Sequence, residues 1–351
     1  MTERFDLHRT GAYPRRVLIV GGYGSVGRRI AELLLATSMG LEVVLAGRNL
    51  ERARKTAARF GDRSLPRRLD VADAGATREA FKATAAVVMT TEAHLQQAAR
   101  IAIDAGVPLV SIAASVEKVR SLAELEVEAQ AKKGVIVIDV GLAPGLMNAM
   151  AHDLLSKIDT ALRLEFVLRL SVFGDHGPEA IRWTLDRAKE ASGLETLFAP
   201  MSDGRNRGIR MDFVDLDDFL FPKSVASYLQ LTPDFSMGLL PGSARHLRGL
   251  MSSFPAASAG VSKVLNLLGL RTDDVMLCVQ AQTNEGLARS IMEGAGQAQL
   301  TAKLTAETLL RVLRGGVPGG VHKMETLLPF PEMQFALESE GSRFFAAYER
   351  L

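Results

Sequence analysis

Residues 17–34 read VLIVGGYGSVGRRIAELL, a short apolar run, a glycine-rich turn, and the start of a helix candidate that spans Ser25–Thr37. Gly22, Gly24 and Gly27 form Gly-x-Gly-x-x-Gly directly between strand and helix. In that setting Gly22 serves the tight turn, Gly24 lets the backbone approach a pyrophosphate, and Gly27 lets helix and strand pack closely. The first helical turn adds free N–H groups and a partial positive charge. Tyr23, Ser25 and Val26 complete the loop. A glycine-rich turn can also serve packing alone, so its position after the first of a series of strand–helix units is what makes it a dinucleotide signal.

Working outward, six strand candidates follow one another from Arg15 to Asn148: VLIV (17–20), EVVLA (42–46), LPRRLDV (65–71), AAVVM (85–89), VPLVSI (107–112) and VIVID (135–139). Most are near-continuously apolar, as strands buried on both faces of a parallel sheet must be. Helix candidates separate them, and Leu95, Ala98, Ala99, Ala102 and Ala105 mark one face of the segment 92–105. The expectation is an α/β protein whose residues 1–148 form a Rossmann-type, doubly wound parallel sheet.

Beyond that the pattern changes. ALRLEFVLRLSVF (161–173) sets Leu164, Phe166, Leu168, Leu170 and Val172 against Arg163, Glu165 and Arg169, and VMLCVQAQ (275–282) alternates similarly. Residues 149–296 are therefore expected to be an α+β substrate and dimerisation domain with a largely antiparallel sheet. One face of that sheet is expected to be free for substrate or a second subunit, giving a homodimer. The acidic run Asp215, Asp217 and Asp218 reads as a solvated loop. Residues 297–351 are expected to be a C-terminal helical segment packing back on the first domain, with a helix Gln297–Leu313 stopped by Gly315-Gly316.

The end of the second strand distinguishes among dinucleotides. It reads Leu45-Ala46-Gly47-Arg48-Asn49, with no carboxylate for ribose hydroxyls and a guanidinium suited to a phosphate, so NADP(H) is favoured over NAD. Arg48 and Asn49 join the site on this reading; the bland alternative is a surface arginine ahead of a helix cap. Asp70-Val71 would lie beside the adenine, or Asp70 is a loop aspartate only. The nicotinamide belongs past the later strands, near Thr90, Thr91, Ser111, Ala114 and Ser115.

Missing residues remove several chemistries. None of Tyr13, Tyr23, Tyr228 and Tyr348 is followed four positions on by Lys. The single cysteine, Cys278, sits inside an alternating strand and reads as a small buried hydrophobe. The six histidines never show HxxxH spacing, so no metal site is expected. His176, in the turn SVFGDHGPE, either faces the cofactor as a proton donor or is a plain turn histidine. His176 and Ser111 are the catalytic candidates. Forty-two Lys and Arg against 40 Asp and Glu leave a formal charge of +2 over 351 residues, too little field to hold nucleic acid or an anionic membrane. With no targeting segment and one cysteine, the expected location is the cytoplasm, and the expected partner is a small-molecule substrate.

The chain resembles the saccharopine dehydrogenase family. GGYGSVGRRIAELL, LAGRNLERARKTA and RRLDVADAG are similar to its NADP-binding domain, GVIVIDVGLAPGLMNAMAHDLL to its sixth strand and Gly-x-x-Pro-Gly turn, and GQAQLTAKLTAETLLRVLRGGVPGGV to its late helix and glycine-rich return. The resemblance implies that the glycine loop, Arg48 and Asp70 bind NADP(H), and that the reaction is hydride transfer to or from a C=N or CH–NH bond. Family members often read Tyr-x-Asp after the fifth strand and Gly-Leu-Asp-Pro-Gly after the sixth, where this chain has Leu109-Val110-Ser111 and Gly141-Leu142-Ala143-Pro144-Gly145. Reduction of C=C or C=O in a hydrophobic metabolite, or NADP sensing without catalysis, are the other readings.

Overall fold

The computed structural model describes residues 16–171, 194–219, 222, 224–232 and 273–350. Two compact units emerge, one of Met1–Gly141 with Thr301–Ala336 and one of Leu142–Leu300 with Leu337–Leu351. The tail from residue 297 is thus shared between units, and it holds two strands besides helices.

The first unit is built on a seven-stranded parallel sheet. Its strands are β1 (Arg16–Val20), β2 (Glu42–Gly47), β3 (Ser64–Arg68), β4 (Ala86–Met89), β5 (Leu109–Ser111), β6 (Val135–Ile138) and β13 (Gly320–Lys323), in the order β13-β6-β5-β4-β1-β2-β3. The apolar runs at the centre bury on both faces, with Val17, Leu18, Ile19, Val87, Val88 and Met89 fully enclosed. Strands after β1 go first to one side of it, through β2 and β3, and then to the other through β4, β5 and β6. That reversal opens a crevice at the carboxyl ends of β1 and β4, the place where such sheets bind ligands. Helices α1 (Ser25–Leu35), α2 (Leu50–Ala57), α3 (Ala74–Lys82), α4 (Leu95–Ala105), α5 (Val116–Ala123) and α6 (Glu126–Ala131) fill the connections. The seventh strand, β13, pairs in parallel with β6 and was not among the six expected.

In the second unit a helix, α7 (Met147–Leu155), precedes a mixed sheet. Its strands are β7 (Arg163–Ser171), β8 (Leu194–Thr196), β9 (Arg207–Arg210), β10 (Ser224–Thr232), β11 (Asp274–Gln282), β12 (Gly286–Ala295) and β14 (Arg343–Arg350), ordered β14-β12-β11-β7-β10-β9-β8. Only β7 and β10 pair in parallel; the other pairings are antiparallel.

One expectation about this sheet is overturned. The Arg163/Glu165/Arg169 face of β7 is not open. Leu197 and Met201 cover it, packing on Val167, Ala226, Tyr228, Met276 and Cys278. Glu165 is only 1% exposed. Phe166 lies on the opposite face and packs against Phe219, which in turn packs against His152 of α7 (ring centroids 5.0 and 4.9 Å). Both faces of β7 are therefore covered by this chain, whereas Phe345 and Tyr348 on the outer strand β14 stay exposed. The acidic run forms a short 3₁₀ turn, Leu216–Asp218, with the Asp215 carboxylate accepting from the Asp217 N–H.

Candidate functional site

The crevice edge of the first unit is organised by the loop after β1. Gly21, with φ of +82°, makes the turn. Its N–H and that of Gly22 both donate to the Ala46 carbonyl on β2, at 2.8 and 3.2 Å, and the Gly24 N–H donates to the Gly21 carbonyl at 2.9 Å. The tight-turn role expected of Gly22 thus falls to Gly21, while Gly22 is pressed against Leu45, where a Cβ would stand 2.8 Å from a side-chain carbon. Gly27 has the packing role expected of it: a Cβ there would meet the Gly21 carbonyl oxygen at 2.6 Å and the Gly22 Cα at 2.8 Å.

Gly24 is the N-cap of α1, and this helix has neither a side-chain cap nor an acidic residue in its first turn. The neighbouring helices differ. Asn49 caps α2 by accepting from the Arg52 N–H, and Asp73 caps α3 by accepting from the Ala76 N–H, both at 2.9 Å. An α1 N-terminus formed by Ser25, Val26 and Gly27 with no carboxylate of its own is fitted to take an anion.

Tyr23 joins this loop to the next. Its hydroxyl accepts from the Asn49 N–H at 3.2 Å, and its ring lies so close over Gly47 that a Cβ there would be 2.5 Å from Cε1. Arg48, next in the chain, is exposed, with no ion-pair or hydrogen-bond partner among the described residues. Asp70, also exposed, accepts from the Ala72 N–H at 3.1 Å, a local turn bond, and Val71 is buried.

At the other strand ends the expected polar groups are already engaged. The Thr90 hydroxyl and N–H both donate to the Val20 carbonyl, at 2.8 and 3.0 Å, which ties β4 to the start of the glycine loop. Thr91 Oγ1 accepts from the Ala93 N–H at 3.4 Å, and the buried Ser111 Oγ from the Ala113 N–H at 3.2 Å. Ser115 is the N-cap of α5, and its hydroxyl donates to Glu92 at 2.5 Å. Glu92 also accepts from the Ala114 and Ser115 N–H groups, at 2.8 and 2.9 Å. One carboxylate therefore clips the loop after β4 to the loop after β5 and caps α5 from outside. Sequence reasoning missed Glu92 in this role, because a cap supplied from more than 20 residues away leaves no local pattern. It also missed Arg52, whose guanidinium carbon lies 4.8 Å from the centre of the Tyr23 ring. His176 lies outside the described residues.

The second unit has a buried polar row of its own. Glu165, Gln280 and Arg289 are cross-strand partners on β7, β11 and β12. Glu165 accepts from Gln280 Nε2 at 2.7 Å and from the Phe198 N–H at 3.0 Å, and Arg289 donates to Gln280 Oε1, the Pro200 carbonyl and Glu349. Burial raises the Glu165 carboxyl above its ordinary range, against the pull of those hydrogen bonds and of Arg163. The row pins the covering segment 197–201 to the sheet. Cys278 is fully buried, and burial pushes its thiol up to about 12, so it is no nucleophile at neutral pH.

A doubly wound sheet, a glycine loop opening an uncapped helix, and an arginine where an NAD site places an acid define the class of an NADP-binding domain. Residues 17–138 match the family described as the saccharopine dehydrogenase NADP binding domain, and the cofactor is NADP(H). Among solved structures it is similar to apo histidine-tagged saccharopine dehydrogenase (L-Glu forming) from Saccharomyces cerevisiae, with a TM-score of 0.62 at 14% identity. That match covers 95% of this chain and 100% of the other. At this identity the likeness is one of fold. Serine dehydrogenase from Escherichia coli (TM-score 0.30, 13% identity, 35% of this chain and 80% of that) and a short-chain type dehydrogenase/reductase from Mycobacterium marinum (0.27, 18%, 36% and 74%) are also similar over part of the chain. No curated protein sequence matches the chain. Among the described residues no helix is long and apolar enough to cross a membrane.

Proposed function

We propose that the protein is an NADP(H)-dependent oxidoreductase that transfers a hydride to or from a C=N or CH–NH bond of a small metabolite. The observation that carries the reading is the pairing of an uncapped α1 N-terminus with an unpartnered Arg48 at the same sheet edge. On this proposal Gly22 to Gly27 and the α1 amides hold the pyrophosphate, Arg48 holds the 2′-phosphate, and Asp70-Val71 border the adenine. NADPH supplies the hydride when bound. Thr90, Thr91, Ser111 and Ser115 lie at the strand ends that would flank the nicotinamide; Thr90 and Ser115 donate their hydroxyl protons within the chain, whereas Thr91 and Ser111 only accept there and keep theirs for a ligand. A protonated imine already carries the charge that hydride addition removes, so its reduction needs placement more than a strong acid. That matches an edge that offers hydroxyls and no strong acid.

The test is an NADPH-oxidation screen against cyclic and amino-acid-derived imines beside ketones and enones, repeated with His176→Ala. Imine turnover, with less than about a tenfold loss in the variant, is the expected result, because loss of a general acid usually costs more. Turnover of ketones or enones alone, or a loss of a thousandfold or more, would move the assignment to C=O or C=C reduction with His176 as proton donor. Absence of turnover with every class, despite NADPH binding, would favour a sensor.

A further inference from the structure

The contact between Tyr23 and Arg52 belongs to no role assigned so far. Arg52 sits in the first turn of α2, four residues beyond Arg48, and its own N–H is held by the Asn49 cap. Its guanidinium carbon lies over the Tyr23 ring, 4.8 Å from the ring centre, although the residue is exposed. An exposed arginine gains little from such a contact and loses rotamer freedom. The neighbouring charges make the placement more informative. Glu51 pairs with Arg54 at 2.7 Å, and among the described residues no carboxylate pairs with Arg52 or Arg48. Two unneutralised guanidinium groups thus flank the end of β2.

A cation over a ring is held by the ring's quadrupole, and the Arg52 guanidinium donates to no other group among the described residues, so its N–H donors remain for a phosphate edge. Tyr23 itself is fixed on two sides, by the Asn49 N–H on its hydroxyl and by Gly47 beneath its ring. The second position of the Gly-x-Gly-x-x-Gly motif therefore sets the direction of an arginine in the next βα unit.

We infer that Arg52, held by the Tyr23 ring, is a second specificity-determining arginine for the 2′-phosphate of NADP(H), and that Tyr23 is the positioning residue linking the pyrophosphate loop to that phosphate. The inference rests on the NADP(H) assignment and adds to Arg48 a partner whose geometry is set in advance. Holding one arm of the clamp rigid lowers the ordering cost of binding the phosphate.

The experiment is fluorescence titration of NADPH and NADH into the wild type, Arg52→Ala, Tyr23→Leu, their double variant, and Arg54→Ala as a control on the same helix. Arg52→Ala is expected to weaken NADPH about tenfold, the low end for a charge-assisted contact, and NADH less than about twofold. Tyr23→Leu should lower the NADPH-to-NADH preference about threefold, and should lower it no further once Arg52 is gone, because its effect on selectivity runs through that side chain. Arg54→Ala should change neither ligand. If the wild type prefers NADPH but Arg52→Ala keeps that preference, or loses both ligands equally, the inference fails while the cofactor assignment stands. A wild type that binds both ligands equally overturns both. Additive effects of the two substitutions on the preference would refute the positioning role of Tyr23.

Discussion

Gly24 and Gly27 are three residues apart in one motif, yet the structure gives their alanine variants different stabilities. A Cβ on Gly27 would meet backbone on the far side of the turn, 2.6 Å from the Gly21 oxygen, 2.8 Å from the Gly22 Cα and 3.1 Å from the Gly21 carbon. None of these atoms can rotate away. Helix α1 must withdraw from the loop, an overpacking of the kind that costs about 1–3 kcal/mol. Alanine recovers about 0.5–1 kcal/mol of that as the better residue inside a helix. The expected net loss is about 1 kcal/mol, together with a displaced cofactor loop. At Gly24 the backbone has φ of −75° and ψ of 176°, which alanine adopts without strain. Its Cβ would meet only the Gly21 oxygen, at 3.1 Å. Replacing glycine at an N-cap adds about 0.5 kcal/mol or less. Gly24→Ala should therefore melt within a degree or two of the wild type while weakening NADPH about tenfold or more, since the methyl stands where a pyrophosphate has to approach. Gly27→Ala should lose both stability and binding. Thermal melts by circular dichroism and NADPH titrations on the two variants decide the matter. Normal NADPH affinity in Gly24→Ala would reduce the loop to a packing device, and an unperturbed Gly27→Ala would contradict the close approach of α1 to the turn.

Arg48→Ala should erase most of the preference for NADPH over NADH, about 1–3 kcal/mol by calorimetry, and an unchanged ratio would remove Arg48 from the 2′-phosphate site. Burial raises the Glu165 carboxyl in the folded chain, so the fold binds that proton more tightly than the unfolded chain does. Its contribution to stability is therefore full below the ordinary carboxylate pKa and is lost as pH rises through the raised value. Glu165→Gln should remove that part of the pH dependence in urea midpoints, and identical pH profiles for the two proteins would refute it. Cys278, fully buried and with its thiol pushed up to about 12, should resist maleimide in the folded protein and react on unfolding; fast labelling of the native state would contradict its place in the sheet.

What the sequence disclosed follows the range of the interactions involved. Runs such as VLIV and AAVVM show themselves because burial on both faces leaves no room for polar residues, and the glycine motif shows itself because its constraints act within seven residues. β13 escaped because four residues, GVHK, form it beside Gly315, Gly316, Pro318 and Gly319, and only its pairing with β6 makes it a strand. The alternation in β7 marks a strand but not a wet face. Period-two patterning reports polarity, and polarity does not separate water from a buried network when each group finds a partner. Glu165 finds its partners in Gln280, 115 residues away, and in the Phe198 N–H, 33 away. The same division runs through the site. Gly24 and Arg48 could be named from neighbours in the chain, whereas Glu92 acts on Ser115 and Tyr23 on Asn49 across turns that only the strand order brings together. The residues that position the cofactor loops are thus the ones a local motif omits, which is why Tyr23, an unspecified x in the motif, is where the structure adds most to the sequence.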